Sequence, residues 1–209
     1  MADRKPNFLF FLPDQHRYDW IPGNEKLPLR MPNVLQMAEQ GVVFERAVCP
    51  SPLCAPSRAC LAAGKRYHEC RVPSNKVDYP LDQPTHYQRL RDLGYQVCGV
   101  GKFDLHKDSY IWGPDGKNLI EEWGFTDGID NEGKYDGILS GAETPKGPYL
   151  QYLHDRGLAE AHVHDFRTRN GFASTWPTPL PDEAYCDNWL SENGLRFLRE
   201  FPEDSPWYL

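Results

Sequence analysis

Short apolar runs alternate along the chain with amphipathic segments that start near a proline or end at a glycine. Four apolar runs predict β-strands, at residues 7–12, 42–48, 95–100 and from 206 onward. Helices are predicted at residues 32–40, 56–63, 84–93, 148–156 and 182–200. This alternation predicts an α/β fold with a largely parallel sheet flanked by helices.

The segment between residues 104 and 148 is rich in glycine, aspartate and aromatic residues, and it is predicted to be mostly loop. Ligands of parallel sheets gather at the carboxyl ends of the strands. Asp14 and Lys102 each follow the end of a predicted strand. The sequence therefore places a candidate site at that edge of the sheet.

Composition and net charge indicate which kinds of molecule this protein binds. Of the 209 residues, 40% are hydrophobic, which is enough for one globular domain. The net charge of −7 argues against nucleic acid as the main partner, although it leaves room for a small anion held by a few cations. The run Phe8 to Leu12 is too short for a signal peptide or a membrane span, so we expect a cytoplasmic protein with no membrane partner. A leader removed earlier would instead make it periplasmic or secreted.

The most informative segment begins at Cys54. Pro56 suits the first turn of a helix, which makes Ala55 the expected cap, and Gly64 is the expected stop. Cys54 thereby precedes a helix N-terminus, where free amide groups and the helix dipole favour negative charge. Arg58, one turn further, is expected to offer its guanidinium group to the same anion.

Other candidate ligands give weaker signals. The cysteines at 49, 54, 60 and 70 contain no Cys-x2-Cys pair, so no structural zinc site is predicted. The segment His162-Val163-His164-Asp165 is predicted to be a polar loop, with His164 or Arg167 as a possible border of a substrate pocket. Lys65, Arg66 and His68 are either surface charges or anion ligands, and Asn75 is the better candidate of that region.

The segment Cys54-Ala55-Pro56-Ser57-Arg58, followed by Leu61 and Gly64, resembles the signature of type I sulfatases of the alkaline phosphatase-like superfamily. The resemblance implies that a maturation enzyme oxidises Cys54 to formylglycine. The hydrated aldehyde then attacks the sulfur of a small anionic sulfate ester, and the covalent sulfate leaves by elimination.

The segment Lys5 to Gln15 is similar to the family's opening strand and first metal ligands. The resemblance implies a calcium site, or a site for another divalent metal, formed by Asp14, Gln15 and modified Cys54. Many members of the family carry a second aspartate where this chain has Gln15. Asn75 lies in the stretch where the family places groups near the sulfate, which implies a substrate-binding role.

Residues 93–106 resemble the family's Gly-Tyr…Gly-Lys-Trp-His segment. Lys102 corresponds to a sulfate-binding lysine that stabilises charge in the transition state. The usual tryptophan and histidine are replaced by Phe103 and Asp104. We therefore expect either that His106 supplies the catalytic imidazole or that Asp104 contacts a different leaving group of the substrate.

The resemblance extends over the whole chain and corresponds to the N-terminal portion of a sulfatase catalytic domain, so residues 1–209 alone are expected to be inactive. A phosphonate monoester or phosphodiester hydrolase shares the fold and the cysteine signature and stays an alternative. A non-catalytic remnant is a third hypothesis. A coding sequence that continues past Leu209 would favour the enzyme, and a stop codon would favour the remnant.

Overall fold

A computed structural model describes residues 5–21, 26–169 and 176–209 of the chain. The chain divides into two compact units, and each is described by itself. The sheet unit comprises the segment up to Leu9 together with Pro50–Leu209, and the second unit comprises Phe10–Cys49.

The sheet unit contains three parallel strands in the order β2-β1-β3. Their bounds are Gln96–Gly101 for β1, Asp127–Asp130 for β2 and Trp207–Tyr208 for β3. Phe8 adds an isolated parallel bridge to Tyr208 at the β3 side. The predicted α/β class with a parallel sheet flanked by helices is thereby confirmed.

Seven α-helices occur in the described residues. In chain order they are α1 Pro32–Gln40, α2 Cys54–Ala63, α3 His86–Asp92, α4 Gly133–Asp136, α5 Pro148–His154, α6 Ala159–Thr168 and α7 Cys186–Glu200. Short 3-10 turns lie at Tyr67–Glu69, Gly137–Ser140 and Asp182–Ala184. The predicted helices at 32–40, 84–93, 148–156 and 182–200 are confirmed within a few residues at each end.

Side chains of β1 alternate between two cores, as strand geometry requires. Val97 packs in a core with α2, Trp123 and Phe125, whereas Cys98 packs in a second core with residues of α5, α6 and α7. Helices therefore cover both faces of the sheet. Strand β1 is a continuous apolar run because both of its faces pack against a core.

Two predicted strands are absent from the described structure. Residues 42–48 form no strand, and within 7–12 only Phe8 makes a ladder bridge. The side chains of Phe11, Val42 and Phe44 are exposed. Apolar strand-length runs form strands only where a neighbouring strand supplies backbone partners, and within the described residues β3 offers them only at Phe8.

The loop prediction for 104–148 missed two elements. The first is strand β2, with the sequence Asp-Gly-Ile-Asp, which was not predicted as a strand because aspartate and glycine are typical of turns. The second is helix α4, which follows β2. The polar loop predicted around His162 is also wrong, because the segment belongs to α6. His162 is buried against Tyr149 and Phe166, while His164 is exposed.

Glu132 is a fully buried carboxyl group at the N-terminus of α5. Its Oε1 accepts the Leu150 amide at 2.7 Å and its Oε2 accepts the Tyr149 amide at 3.2 Å. A Cβ atom at Gly147 would lie 2.3 Å from Glu132 Cδ, so the glycine makes room for this side chain. Burial nevertheless raises the pKa of Glu132 to about 7, against the amide hydrogen bonds that lower it.

No helix among the described residues is both long and apolar enough to cross a membrane.

We predict opposite effects for two glycine-to-alanine substitutions. A Cβ atom at Gly99 would lie 2.6 Å from Phe103 Cζ and 2.8 Å from Phe125 Cε1, so Gly99→Ala should lower the free energy of unfolding by about 1–3 kcal/mol. Gly194 in α7 has open space at its Cβ position, and Gly194→Ala should raise the free energy of unfolding by about 0.5–1 kcal/mol. Urea unfolding followed by tryptophan fluorescence measures both. Shifts in the same direction would contradict the packing argument.

A second prediction concerns stability against pH. The folded protein keeps on Glu132 a proton that the unfolded chain releases near pH 4.5. The free energy of unfolding should therefore fall by about 3 kcal/mol as pH rises from 4.5 to 7, through this group alone. Glu132→Gln should flatten this part of the profile, whereas Glu192→Gln at an exposed position should leave it unchanged. A profile that Glu132→Gln does not alter would show that the carboxyl group is ionised throughout.

Candidate active site

The N-terminus of α2 presents Cys54. The helix begins at Cys54 with Leu53 as its N-cap residue, so the prediction of Ala55 as the cap is wrong. Pro56 is tolerated because amides of the first turn have no partner within the helix, and Ser57 is the first to bond backward, to Leu53 at 3.0 Å. Gly64 ends the helix in the left-handed conformation with φ 62°, as predicted.

Asn75 caps α2 from a distance. Its Oδ1 accepts the amide of Ala55 at 3.0 Å, next to the half-buried Cys54. Asn75 therefore fixes the start of the helix, and its predicted contact with substrate stays a prediction. Lys65, Arg66 and His68 are all exposed, as surface charges would be.

Lys102 reaches Cys54 from the carboxyl end of β1. Its Nζ lies 3.6 Å from Cys54 Sγ and 3.2 Å from Asp104 Oδ2. Arg58, four residues after Cys54 on the same helix, donates from Nη1 to the carbonyl oxygen of Lys102. The structure thus brings Cys54, Arg58 and Lys102 together in an arrangement suited to holding an anion.

Asp130, at the end of β2, fixes the segment that follows Lys102. Its Oδ1 accepts the Phe103 amide at 2.9 Å, and its Oδ2 lies 2.8 Å from His106 Nε2. The Asn131 amide donates to the Gly101 carbonyl oxygen at 2.8 Å and holds the two strand ends together. Burial raises the pKa of Asp130, although the contact with His106 and the hydrogen bond from the Phe103 amide both act to lower it.

His106 belongs to the packing beneath the site. It is 1% exposed, stacks on Trp123 with ring centroids 5.3 Å apart, and meets Trp112 edge-on. An imidazole sealed between two indole rings and paired with Asp130 has no open face for a substrate. This placement does not support the expectation that His106 supplies the catalytic imidazole.

A line of alternating charges leads away from Lys102. The side chain of Asp104 is completely buried, and its second oxygen lies 3.3 Å from Lys107 Nζ. Lys107 also contacts Asp136, the last residue of α4. Asp104 is therefore held by two lysines, and its expected contact with the leaving group stays a prediction.

The predicted metal ligands Asp14 and Gln15 lie in an exposed turn of the second unit, where Gln15 has φ 52°. Both offer oxygen donors, the kind that calcium takes, but two side chains fall short of its six to eight ligands. Among the described residues, no cluster of three or more His, Cys, Asp or Glu side chains could hold a metal ion.

Sequence reasoning missed Asp130, Lys107 and Asp136. Asp130 is the last residue of a strand that is too short and too polar to be recognised from the sequence. Lys107 lies three residues after Asp104, a spacing that permits an ion pair. Asp136 carries no sequence signal, because only the fold brings α4 to the segment after β1.

Comparisons with known proteins point to the same protein family. The sequence profile of the Sulfatase family matches residues 6–209. The chain is 31% identical to arylsulfatase A of Bos taurus over 212 residues, which is 99% of this chain and 35% of the relative. It is 33% identical to choline-sulfatase of Rhizobium meliloti over 122 residues, 58% of this chain and 23% of the relative.

A further relative is N-acetylglucosamine-6-O-sulfatase of Bacteroides thetaiotaomicron, 28% identical over 132 residues, 63% of this chain and 22% of the relative. The chain thus spans well under half the length of these relatives.

The fold is also that of a solved structure, the phosphonate monoester hydrolase of Agrobacterium radiobacter, with a TM-score of 0.70. The similarity covers 98% of this chain and 40% of that one at 21% sequence identity, so it bears on the fold alone. Together with the profile match over residues 6–209, these similarities show that the chain belongs to the Sulfatase family, within the alkaline phosphatase-like superfamily, and corresponds to an N-terminal portion of such enzymes.

Proposed function

We propose that this protein is a sulfuric ester hydrolase whose nucleophile is a formylglycine made from Cys54. The contact between Lys102 Nζ and Cys54 Sγ, at 3.6 Å, carries the proposal. It sets a cation beside residue 54 at a helix N-terminus, where an anionic ester binds favourably.

The reaction divides into two steps. A maturation enzyme oxidises residue 54 with an external two-electron oxidant, so that Cβ becomes an aldehyde and the sulfur leaves as sulfide. Water then adds to give a geminal diol. One hydroxyl oxygen attacks the sulfur, the bond from sulfur to the ester oxygen breaks, and the alcohol leaves with a proton. The other hydroxyl then loses its proton, the aldehyde forms again, and the bond between Cβ and the sulfate oxygen breaks.

Lys102 and Arg58 have complementary roles in this proposal. Lys102 is directed at residue 54 and stabilises the charge that grows on the sulfate oxygens. Arg58 holds the Lys102 carbonyl oxygen and so ties α2 to the end of β1. In this proposal its planar guanidinium group also donates to a sulfate oxygen.

The resemblance to the family implies a calcium ion, for which Asp14 and Gln15 would supply oxygen ligands. Such an ion would supply positive charge for the ester oxygens when bound. The oxygen donors of Asp14 and Gln15 fit such an ion in kind, and further ligands are needed to complete its shell.

A phosphonate monoester or phosphodiester hydrolase is the second candidate. Gln15 in place of a second aspartate lowers the negative charge expected at the metal, and Phe103-Asp104 replaces the tryptophan and histidine usual in sulfatases. Parallel rate measurements on aryl sulfate, aryl phosphonate and phosphodiester substrates distinguish the two. A higher kcat/KM for the phosphorus substrates would replace our proposal by the second candidate.

We predict that Cys54 carries formylglycine or its hydrate when the protein is produced with a competent maturation system. Peptide mass spectrometry should find the residue 54 peptide lighter than its thiol form, and thiol alkylation should miss that position. Production in a host without the maturation system supplies the control. A sample that hydrolyses sulfate esters while residue 54 is entirely thiol would contradict the mechanism.

We predict that loss of the Lys102 ammonium group destabilises the transition state of the reaction more than it destabilises the folded protein. In a protein that contains the complete catalytic domain, Lys102→Ala should lower kcat/KM for an aryl sulfate about a hundredfold. This corresponds to a loss of about 3 kcal/mol of transition-state stabilisation, which is typical for one such contact. Lys65→Ala, at an exposed lysine, is the matched control and should leave kcat/KM unchanged. Equal losses in the two variants would mean that general charge, and not the contact with residue 54, attracts the substrate.

A further inference from the structure

Four charged side chains form a buried line that ends at Cys54. Lys102 Nζ lies 3.2 Å from Asp104 Oδ2, and Lys107 Nζ lies 3.3 Å from Asp104 Oδ1. Asp136 contacts Lys107 on its far side. The side chains of Lys107 and Asp136 are each 11% exposed and that of Asp104 is 0% exposed, so water screens these charges only weakly.

Taken in order, the charges are positive, negative, positive and negative, and they sum to zero. If Lys102 were the only cation beside Asp104, the negative charge of Asp104 would cancel most of the electric field that Lys102 exerts at residue 54. Lys107 shares the Asp104 carboxylate and therefore leaves Lys102 with positive charge to offer an anion. Asp136 in turn balances Lys107, which keeps the second lysine from being an uncompensated buried charge.

We infer that Lys107 is a positioning residue, which compensates Asp104 so that Lys102 keeps its positive charge directed at residue 54, and that Asp104 orients Lys102 instead of binding substrate. The catalytic consequence rests on the proposed sulfatase function, whereas the electrostatic consequence at Cys54 does not.

The backbone and the ionisation of Lys107 agree with this assignment. Asp104 has φ 52°, a left-handed conformation that aspartate and asparagine tolerate and that turns its carboxylate into the buried line. Burial lowers the pKa of Lys107, but the charges of Asp104 and Asp136 more than offset it, and the pKa lies above its ordinary value. Lys107 is therefore charged at neutral pH.

The thiol form of the protein provides a direct measurement of this field. Protein made without the maturation system keeps Cys54 as a thiol and is alkylated in the presence of a chelator, either with anionic iodoacetate or with neutral iodoacetamide. The ratio of the two rates at Cys54, resolved by peptide mass spectrometry, reports the local charge that an anion meets. The exposed Cys49 gives an internal reference in the same sample.

Three variants have different expected signs. Lys107→Met should lower the iodoacetate-to-iodoacetamide ratio at Cys54 about threefold, because Asp104 then acts on Lys102 alone. Asp104→Asn should raise the ratio, because it removes the negative charge and keeps a residue that accepts the left-handed backbone. The double variant Asp104→Asn with Lys107→Met should return the ratio close to its original value.

Lys117→Met is the matched control. Lys117 also pairs with an aspartate, Asp127 at 2.8 Å, but the two side chains are 52% and 44% exposed. This variant removes the same charge and should leave the ratio at Cys54 unchanged.

A purely structural role for Lys107 would alter both alkylation rates together and leave their ratio constant, which would overturn the inference. An equal or lower ratio in Asp104→Asn would overturn it as well. Should Lys107→Met fail to fold by circular dichroism, the rise in Asp104→Asn and the return in the double variant decide the question. In matured protein that contains the complete catalytic domain, kcat/KM for an aryl sulfate should follow the same order. Shifts in the ratio together with no hydrolysis by any variant of a protein that contains the complete catalytic domain would reject the proposed sulfatase function and leave the role of Lys107 standing.

Discussion

The buried carboxylate of Asp130 joins the two strand ends on which the site depends. Its Oδ1 holds the Phe103 amide and its Oδ2 holds the His106 imidazole, so both ends of the segment after β1 are tied to the end of β2. Lys102 lies immediately before this segment and Asp104 within it. The lysine side chain has four rotatable bonds, so Lys102 points in a defined direction only when its backbone is fixed. Asp130 fixes that backbone.

The site also shows how an acidic protein can present positive charge locally. The chain carries a net charge of −7, yet Arg58 and Lys102 meet at the N-terminus of α2, where the helix dipole adds to their effect. Burial matters as much as sign, because charges in the interior are weakly screened and act over several ångströms. A local arrangement of a few residues therefore outweighs the overall charge.

Packing beneath the site follows from the same strand. Gly99 of β1 leaves room for the stacked rings of Phe103 and Phe125, whose centroids are 4.7 Å apart. Phe103 occupies the position at which the resemblance led us to expect tryptophan, and it belongs to the core shared with α2 and α3. Phe103 in place of tryptophan thus packs against the core beneath the site.

The sequence by itself determined the parts that local chemistry specifies. Proline and glycine mark both limits of α1, the start of α5 and the end of α2, and the uninterrupted apolar run predicted β1. The resemblance of the Cys54 to Arg58 segment to a sulfatase signature pointed to the candidate nucleophile and to the family that the profile match shows. Only the tertiary structure decided which apolar runs found strand partners, that Asp-Gly-Ile-Asp becomes β2, and that His106 is sealed between two tryptophans. Only the fold, too, placed Asp104, Lys107 and Asp136 in one line. The reason is physical: helix caps and turns depend on neighbours a few residues away, whereas strand pairing and buried charge depend on residues tens of positions distant, which a linear pattern does not encode.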